Sequence, residues 1–241
     1  MDIAQMIALV LVGAGAGFVQ RVSGFGLGIF AMLFLPGLMP SHAAATAVSC
    51  LLSCGTTVYN GARYRRQVAF RTLIPLLCTA FAMIPIGVYF SSSVPEKLLK
   101  TLLGIVLIAL SIYFLFFSDR IRIRPTAVNG LLSGGMSGLL SGLFSTGGPP
   151  AVLYLVHATP DKQVYFATIQ FFFAVTNIYA TAVRAAGGII TRHILFSTAV
   201  GLAGCALGNA AGAMVFHRLN SRRVKQIIYI GMIVSGALMI L

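Results

Sequence analysis

From Thr72 to Pro95 the chain carries no charged side chain. A bilayer core of ~30 Å needs about 20 apolar residues in a row, and this run exceeds that. Similar runs recur along the chain, which is 58% hydrophobic and 9% charged. A soluble domain carries roughly 25% charged residues. The runs are continuous rather than alternating, which excludes a transmembrane β-barrel. The chain therefore reads as an all-α integral membrane protein, with residues 1–241 forming one membrane domain. The opening MDIAQMIALV lacks the basic region of a secretory leader, so it is expected to be the first span itself.

Ten apolar segments are expected, near 3–19, 25–39, 42–61, 72–91, 97–117, 126–143, 148–158, 163–183, 193–214 and 223–241. They fall into two halves, repeat one at 1–117 and repeat two at 126–241, joined by an Arg-rich linker at 118–125. A constant shift of 121 positions takes Gly17 to Gly138, Gly26 to Gly147, Arg63 to Arg184, Arg71 to Arg192 and Gly87 to Gly208. In each half the second segment is too short to cross the bilayer comfortably. A hairpin that enters and leaves on one side resolves this, with its non-helical tip buried in protein. Two short crossings would leave the remaining helices in the same orientation, so charge does not separate the two.

The net charge of +13 would suggest a nucleic-acid partner in a soluble protein, but here it lies in short loops. With hairpins returning to their own side, one face collects Arg63, Arg65, Arg66, Arg71, Arg120, Arg122, Arg124, Lys162, Arg218, Arg222, Arg223 and Lys225. The other face keeps Lys97, Lys100, Arg184 and Arg192. The positive-inside rule puts the first face in the cytoplasm. The halves are then inverted-topology repeats, each a short or re-entrant helical hairpin plus three transmembrane helices, and both termini are outside. No nucleic-acid partner is expected. The lipid bilayer is the expected environment, and a homo-oligomer is left open.

Chemistry is narrowed first by what is missing. The acids are Asp2, Glu96, Asp119 and Asp161, all at segment ends or in loops. A carboxylate proton relay or a carboxylate-bound sodium site is therefore not expected inside the membrane. Membrane-enzyme motifs and zinc spacings are missing too, so no catalytic residue, metal or cofactor is expected. Cys50, Cys54, Cys78 and Cys205 read as small packing residues.

What remains favours an anion. In Ser23-Gly24-Phe25-Gly26 and in Ser145-Thr146-Gly147-Gly148 a break precedes a new helix start, and Pro149 and Pro150 suit a first turn. Helix N-termini expose unpaired N–H groups and a partial positive charge. Two such ends converging at mid-membrane would hold an oxyanion, with Ser and Thr hydroxyls as further donors. The alternative is that the glycines only permit tight turns. Arg21 is a membrane-depth cation if the first hairpin is re-entrant, and an interface marker if the pair spans. Gln170 and Asn177 share one helix face, for interhelical hydrogen bonds or for substrate. His42 and His157 are interfacial residues or proton carriers.

The paired glycine-rich segments, the two-half repeat, the loop RYRRQVAFR, the Gly24-Phe25-Gly26 pattern and the Gly147-Gly148-Pro149 hairpin end resemble the sulfite exporter TauE/SafE family of sulfonate permeases. The resemblance runs nearly the whole chain. It implies a bacterial inner-membrane permease for a small sulfur-containing anion such as sulfite, sulfoacetate or another organosulfonate, with export the favoured direction. An anion channel, or a membrane-embedded sulfur-handling enzyme using Cys50 or Cys54, are the alternatives.

Overall fold

Helix starts follow caps written in the sequence. Asp2 accepts from Ile3 N at 2.7 Å, Ser41 from Ala44 N at 3.2 Å, Thr126 from Asn129 N at 3.3 Å, and Asp161 from Gln163 N and Val164 N at 2.8 Å. Each side chain satisfies donors that the first turn leaves free. Asp2 and Asp161 thus serve as caps, while Glu96 pairs with Lys100 at 3.4 Å. These are structural tasks for three of the four acids.

The computed structural model describes residues 2–117, 124–159, 161–215 and 221–240. Most of the linker, with Asp119, Arg120 and Arg122, and also Arg218, lies outside the described residues. The helices are α1 (Ile3–Ser23), α2 (Leu27–Leu38), α3 (His42–Arg63), α4 (Phe70–Ser93), α5 (Glu96–Ile112), α6 (Ala127–Phe144), α7 (Gly148–Ala158), α8 (Lys162–Ala186), α9 (Arg192–Val215) and α10 (Ser221–Ile240). A 3-10 turn follows α3 and a π-helical turn ends α5. Six of the described helices, α1, α4, α5 with its end turn, α6, α8 and α9, are long and apolar enough to cross a membrane.

Side chains are distributed as lipid requires. Leu11, Tyr89, Leu102, Leu132, Leu207 and Met214 are exposed, whereas Ser49, Thr57, Ser137, Gln170 and Arg184 are buried. Polar groups that would be costly in hydrocarbon face inward instead.

Helix directions come from the contacts. Gly13 abuts the backbone of Gly201, and Gly17 that of Cys205, while Gly212 lies against Arg21. So α1 and α9 run parallel. Likewise Gly134 abuts Leu76, Gly138 abuts Ala80 and Gly142 abuts Gly87, so α6 and α4 run parallel. A Cβ on Gly138 would sit 2.6 Å from the Ala80 carbonyl oxygen. The small-residue stripe is what lets these backbones touch. Antiparallel pairs complete the body: Gly61 meets Gln170 and Ala174 between α3 and α8, and Gly104 meets Gly236 and Ile240 between α5 and α10.

Shifted by 121, α1 falls on α6 and α4 on α9, so the two parallel pairs are one pairing with the halves exchanged. The α3–α8 and α5–α10 pairs map onto themselves. The exchange is not perfect. Gly17 sits against Cys205, but its counterpart Gly138 sits against Ala80, four positions short of Ile84, the counterpart of Cys205. Relative to its parallel partner, α1 is advanced by about one helical turn over α6.

The hairpins have unequal limbs. At 21 residues, α1 is about 31 Å long, and α6 with 18 residues about 27 Å. The returning limbs α2 and α7 have 12 and 11 residues. Gln5 Nε2 donates to Leu38 O at 2.7 Å, which ties the start of α1 to the end of α2.

Candidate functional site

Both breaks are built by residues in left-handed backbone. Gly24 (φ 78°) caps α1 and Gly26 (φ 100°) starts α2. In the second half Ser145, with φ 55°, ends α6. Ser145 is the non-glycine residue with positive φ among the described residues. The closures match: Gly24 N donates to Gln20 O at 2.9 Å, and Ser145 N to Ser141 O at 3.0 Å.

The breaks meet inside the molecule. A cavity of about 40 Å³ is walled by Gln20 and Gly26 to Ile29 on one side and by Ser137, Gly138, Ser141 and Ser145 to Gly148 on the other. Ser53 and Thr57 of α3 and Phe172, Phe173, Thr176 and Asn177 of α8 close it. The volume is that of a few water-sized probes. None of the described lining residues is ionisable.

Donors around this space fall into two kinds. The hydroxyls of Ser145 and Thr146 are buried and have no hydrogen-bond partner, and the Ser49 hydroxyl is in the same state. An unpaired buried polar group costs about 1–3 kcal/mol, which a ligand would recover. The second kind is the backbone at the start of α2, where Leu27 N already donates to Gln20 Oε1 at 3.3 Å. The two helix starts are unequal, because Pro149 and Pro150 bring no N–H to the first turn of α7. The second half therefore contributes hydroxyls where the first contributes amides. Gly147 has no room for a side chain, since a Cβ there would overlap Ser137 O and lie 2.8 Å from Ser141 Cβ. Ser137 Oγ donates to Gly147 O.

Of the residues singled out in the sequence, Gly26, Ser145, Thr146, Gly147, Gly148 and Asn177 line this cavity. Asn177 Nδ2 also donates to Thr57 Oγ1 at 3.5 Å. Gly24 presents its carbonyl to Gln170 Nε2 at 3.0 Å. Phe25 is buried, its ring 5.7 Å from that of Phe114. The side chain of Ser23 lies outside the described residues. Arg21 occupies the last turn of α1, is exposed, and lines a second cavity of about 400 Å³ with Gln20, Thr56, Tyr59, Asn60, Gln170 and Asn209. The cavities share Gln20. His157 Nδ1 donates to Leu153 O of its own helix at 2.9 Å. Cys50 packs on α8, with Sγ 3.5 Å from Thr181 Oγ1.

Several residues were missed by the sequence reading. Ser137, Ser141 and Ser145 recur every fourth position and form one wall, and Ser53 and Thr57 show the same spacing on α3. Arg184, assigned to an outer loop, is instead 1% exposed within α8. Its Nη2 donates to Ser141 O at 3.0 Å and Gly142 O at 2.9 Å, so the guanidinium caps the carbonyl end of α6. Beside it His42 Nε2 donates to Leu143 O at 2.9 Å, and its ring meets Phe144 edge-on at 5.6 Å.

Membrane-length helices enclosing a small polar cavity between two broken helices are the architecture of a multi-pass membrane transporter. The family model described as Sulfite exporter TauE/SafE matches residues 9–239, and the chain belongs to that family, whose members are transporters and not enzymes. It is 28% identical over 201 residues to a protein of Cupriavidus necator described as "Probable sulfite/organosulfonate exporter TauE", covering 79% of this chain and 75% of that one. No solved structure matches the chain.

Proposed function

We propose that this transporter exports small sulfur-containing oxyanions, sulfite or an organosulfonate, and that it binds their head group in the neutral cavity between the breaks. The observation that carries the proposal is the pair of unpartnered hydroxyls, Ser145 and Thr146, beside the glycine-opened start of α2. Hydroxyls and helix-start amides suit three oxygens sharing one or two negative charges. The family and the described activity of the Cupriavidus relative support the sulfur class. Gly24, Gly26, Gly147 and Gly148 shape the site, Asn177 donates to the anion, and Gln170 fixes the Gly24 carbonyl. Arg21 collects anions in the wider cavity.

The halves act as inverted repeats of a single domain in the bacterial inner membrane, with the Arg63 end cytoplasmic and both termini outside. The exchange of helix pairings between halves supports this, as do the exposed arginines Arg63, Arg65, Arg66 and Arg71 at one end. Alternating access moves one half against the other about the cavity. An inside-negative potential drives anion efflux by about 2.3 kcal/mol per charge per 100 mV, so export needs no coupled cation. Packing of Arg184, His42 and Phe144 at the opposite end speaks for a carrier over a channel.

The test is efflux from proteoliposomes loaded with sulfite under an imposed inside-negative potential. Efflux that rises with the potential and falls when sulfoacetate is added is the expected result. Efflux no faster than from protein-free liposomes would contradict the proposal.

A further inference from the structure

Arg184 and Arg63 are counterparts under the 121-position shift, and the carbonyls that Arg184 holds, Ser141 and Gly142, are the counterparts of those of Gln20 and Arg21. Their states differ. Arg184 is buried and holds both carbonyls at the end of α6. Arg63 is exposed, with Nη1 3.3 Å from Tyr59 Oη and its guanidinium carbon 6.0 Å from the centre of the Tyr64 ring. A second pair behaves the same way. His42 is buried on Leu143 O, while its counterpart Gln163 is exposed.

The one-turn difference between the parallel helix pairs has the same sense. The half whose arginine is engaged has α6 set back on α4, with Gly138 against Ala80. The half whose arginine is turned to Tyr59 and Tyr64 instead has α1 advanced along α9, with Gly17 against Cys205. The cavity of about 400 Å³ lies at that second end, between Gln20, Arg21, Tyr59 and Asn60. Engagement, set-back and closure go together at one end, and release, advance and opening at the other.

We propose that Arg184 and Arg63 are reciprocal latches of the transport cycle, each closing its own end by capping the carbonyl terminus of a long hairpin limb. The structure is the state closed at the Arg184 end. In the opposite state α1 withdraws by one turn along α9, and Arg63 takes the carbonyls of Gln20 and Arg21. At the same time α6 advances by one turn on α4, and Arg184 lets go of Ser141 and Gly142. One-turn slides between packed helices are a known switching mode, because packed interfaces are bistable rather than continuously deformable. The latch suits a carrier of anions, since it uses a cation with backbone carbonyls and leaves no carboxylate in the path. Both arginines are positioning residues; neither lines the central cavity. The proposal rests on the inverted-repeat reading and not on the identity of the substrate.

The test is side-specific labelling of a cysteine introduced as Thr146→Cys, in a variant whose native cysteines are replaced by Ala or Ser. An impermeant maleimide is applied from either side of oriented proteoliposomes. With both arginines present, labelling is faster from the Arg63 end. Arg184→Gln shifts the ratio of the two rates toward the Arg184 end by roughly tenfold or more, the effect of losing charge-assisted hydrogen bonds in one state only. Arg184→Lys keeps the cation at this buried site and shifts it less. Arg63→Gln, at an exposed position that does not threaten folding, moves the ratio the other way and slows sulfite efflux. A ratio unmoved by Arg63→Gln, or moved in the same direction by both Gln variants, overturns the latch. Opposite shifts without sulfite flux uphold the latch and defeat only the substrate assignment.

Discussion

Gln170 donates from Nε2 to the carbonyl of Gly24 at 3.0 Å, across 146 positions of sequence. The bond ties α8 of the second half to the break of the first. A chain that leaves a helix at a left-handed glycine exposes a carbonyl that the helix itself cannot satisfy. Here a side chain from the other half supplies the donor, so the first break is held in shape by the second half.

Gln170→Leu therefore leaves a partly buried carbonyl without its side-chain partner. The expected loss is about 1–3 kcal/mol of stability, read as a lower thermal midpoint in detergent. Anion affinity falls with it, because the start of α2 is no longer fixed. A midpoint and affinity equal to those of the unsubstituted protein would show that the bond is dispensable.

Ser145 and Thr146 give the opposite pattern. Their hydroxyls have no partner to lose, so Ser145→Ala with Thr146→Val leaves the unliganded thermal midpoint unchanged or raises it slightly. Stabilisation by a fixed concentration of added sulfite is reduced in the same variant. A large drop in the unliganded midpoint would mean that the hydroxyls are structural.

Gly147→Ala tests the closeness of the second break. Its φ of −69° suits any residue, so the substitution fails on space alone, against Ser137 and Ser141. Transport is expected to fall by at least about tenfold, with membrane expression retained, because a misfit of order 1 Å at a binding site is worth that much. Gly26→Ala fails for a different reason, its φ of 100°. Full flux in either variant would remove the two-break site.

Replacing Cys50 and Cys54 together by Ala is expected to keep sulfite flux within about twofold, the scale of a small packing change at one buried and one half-buried thiol. Among the described residues, the Cys50 thiol has Asn177 and Thr181 as its hydrogen-bonding neighbours. Loss of flux with intact folding would revive chemistry at sulfur.

Most helix limits were legible because the ends carry local chemistry. Ser41, Thr126 and Asp161 cap, Gly24 and Gly26 adopt positive φ, and Pro149 and Pro150 open α7. The meeting of the breaks was suggested by the repeat, and Gly147 and Thr146 now line one cavity with Gly26. Arg184 was misplaced because a charge at the end of an apolar run reads as a loop. What keeps it in the helix is the carbonyl end of α6, forty-odd positions away, and no local pattern reports that. Arg21 falls beyond the first expected segment, 3–19, but α1 continues to Ser23 and ends only where Gly24 turns. The serine wall of α6 was visible as a four-residue spacing but was hidden among glycines of the same period.

Equilibrium binding of radiolabelled sulfite to the purified protein tests the central claim most directly, compared between the unsubstituted chain and the Ser145→Ala, Thr146→Val variant. The account predicts saturable binding that weakens roughly tenfold or more in the variant, as expected when two hydrogen bonds to a charged ligand are removed, while an apolar change at the exposed Leu11 leaves it unaltered. Equal sulfite affinity in the folded variant and the unsubstituted protein would contradict it.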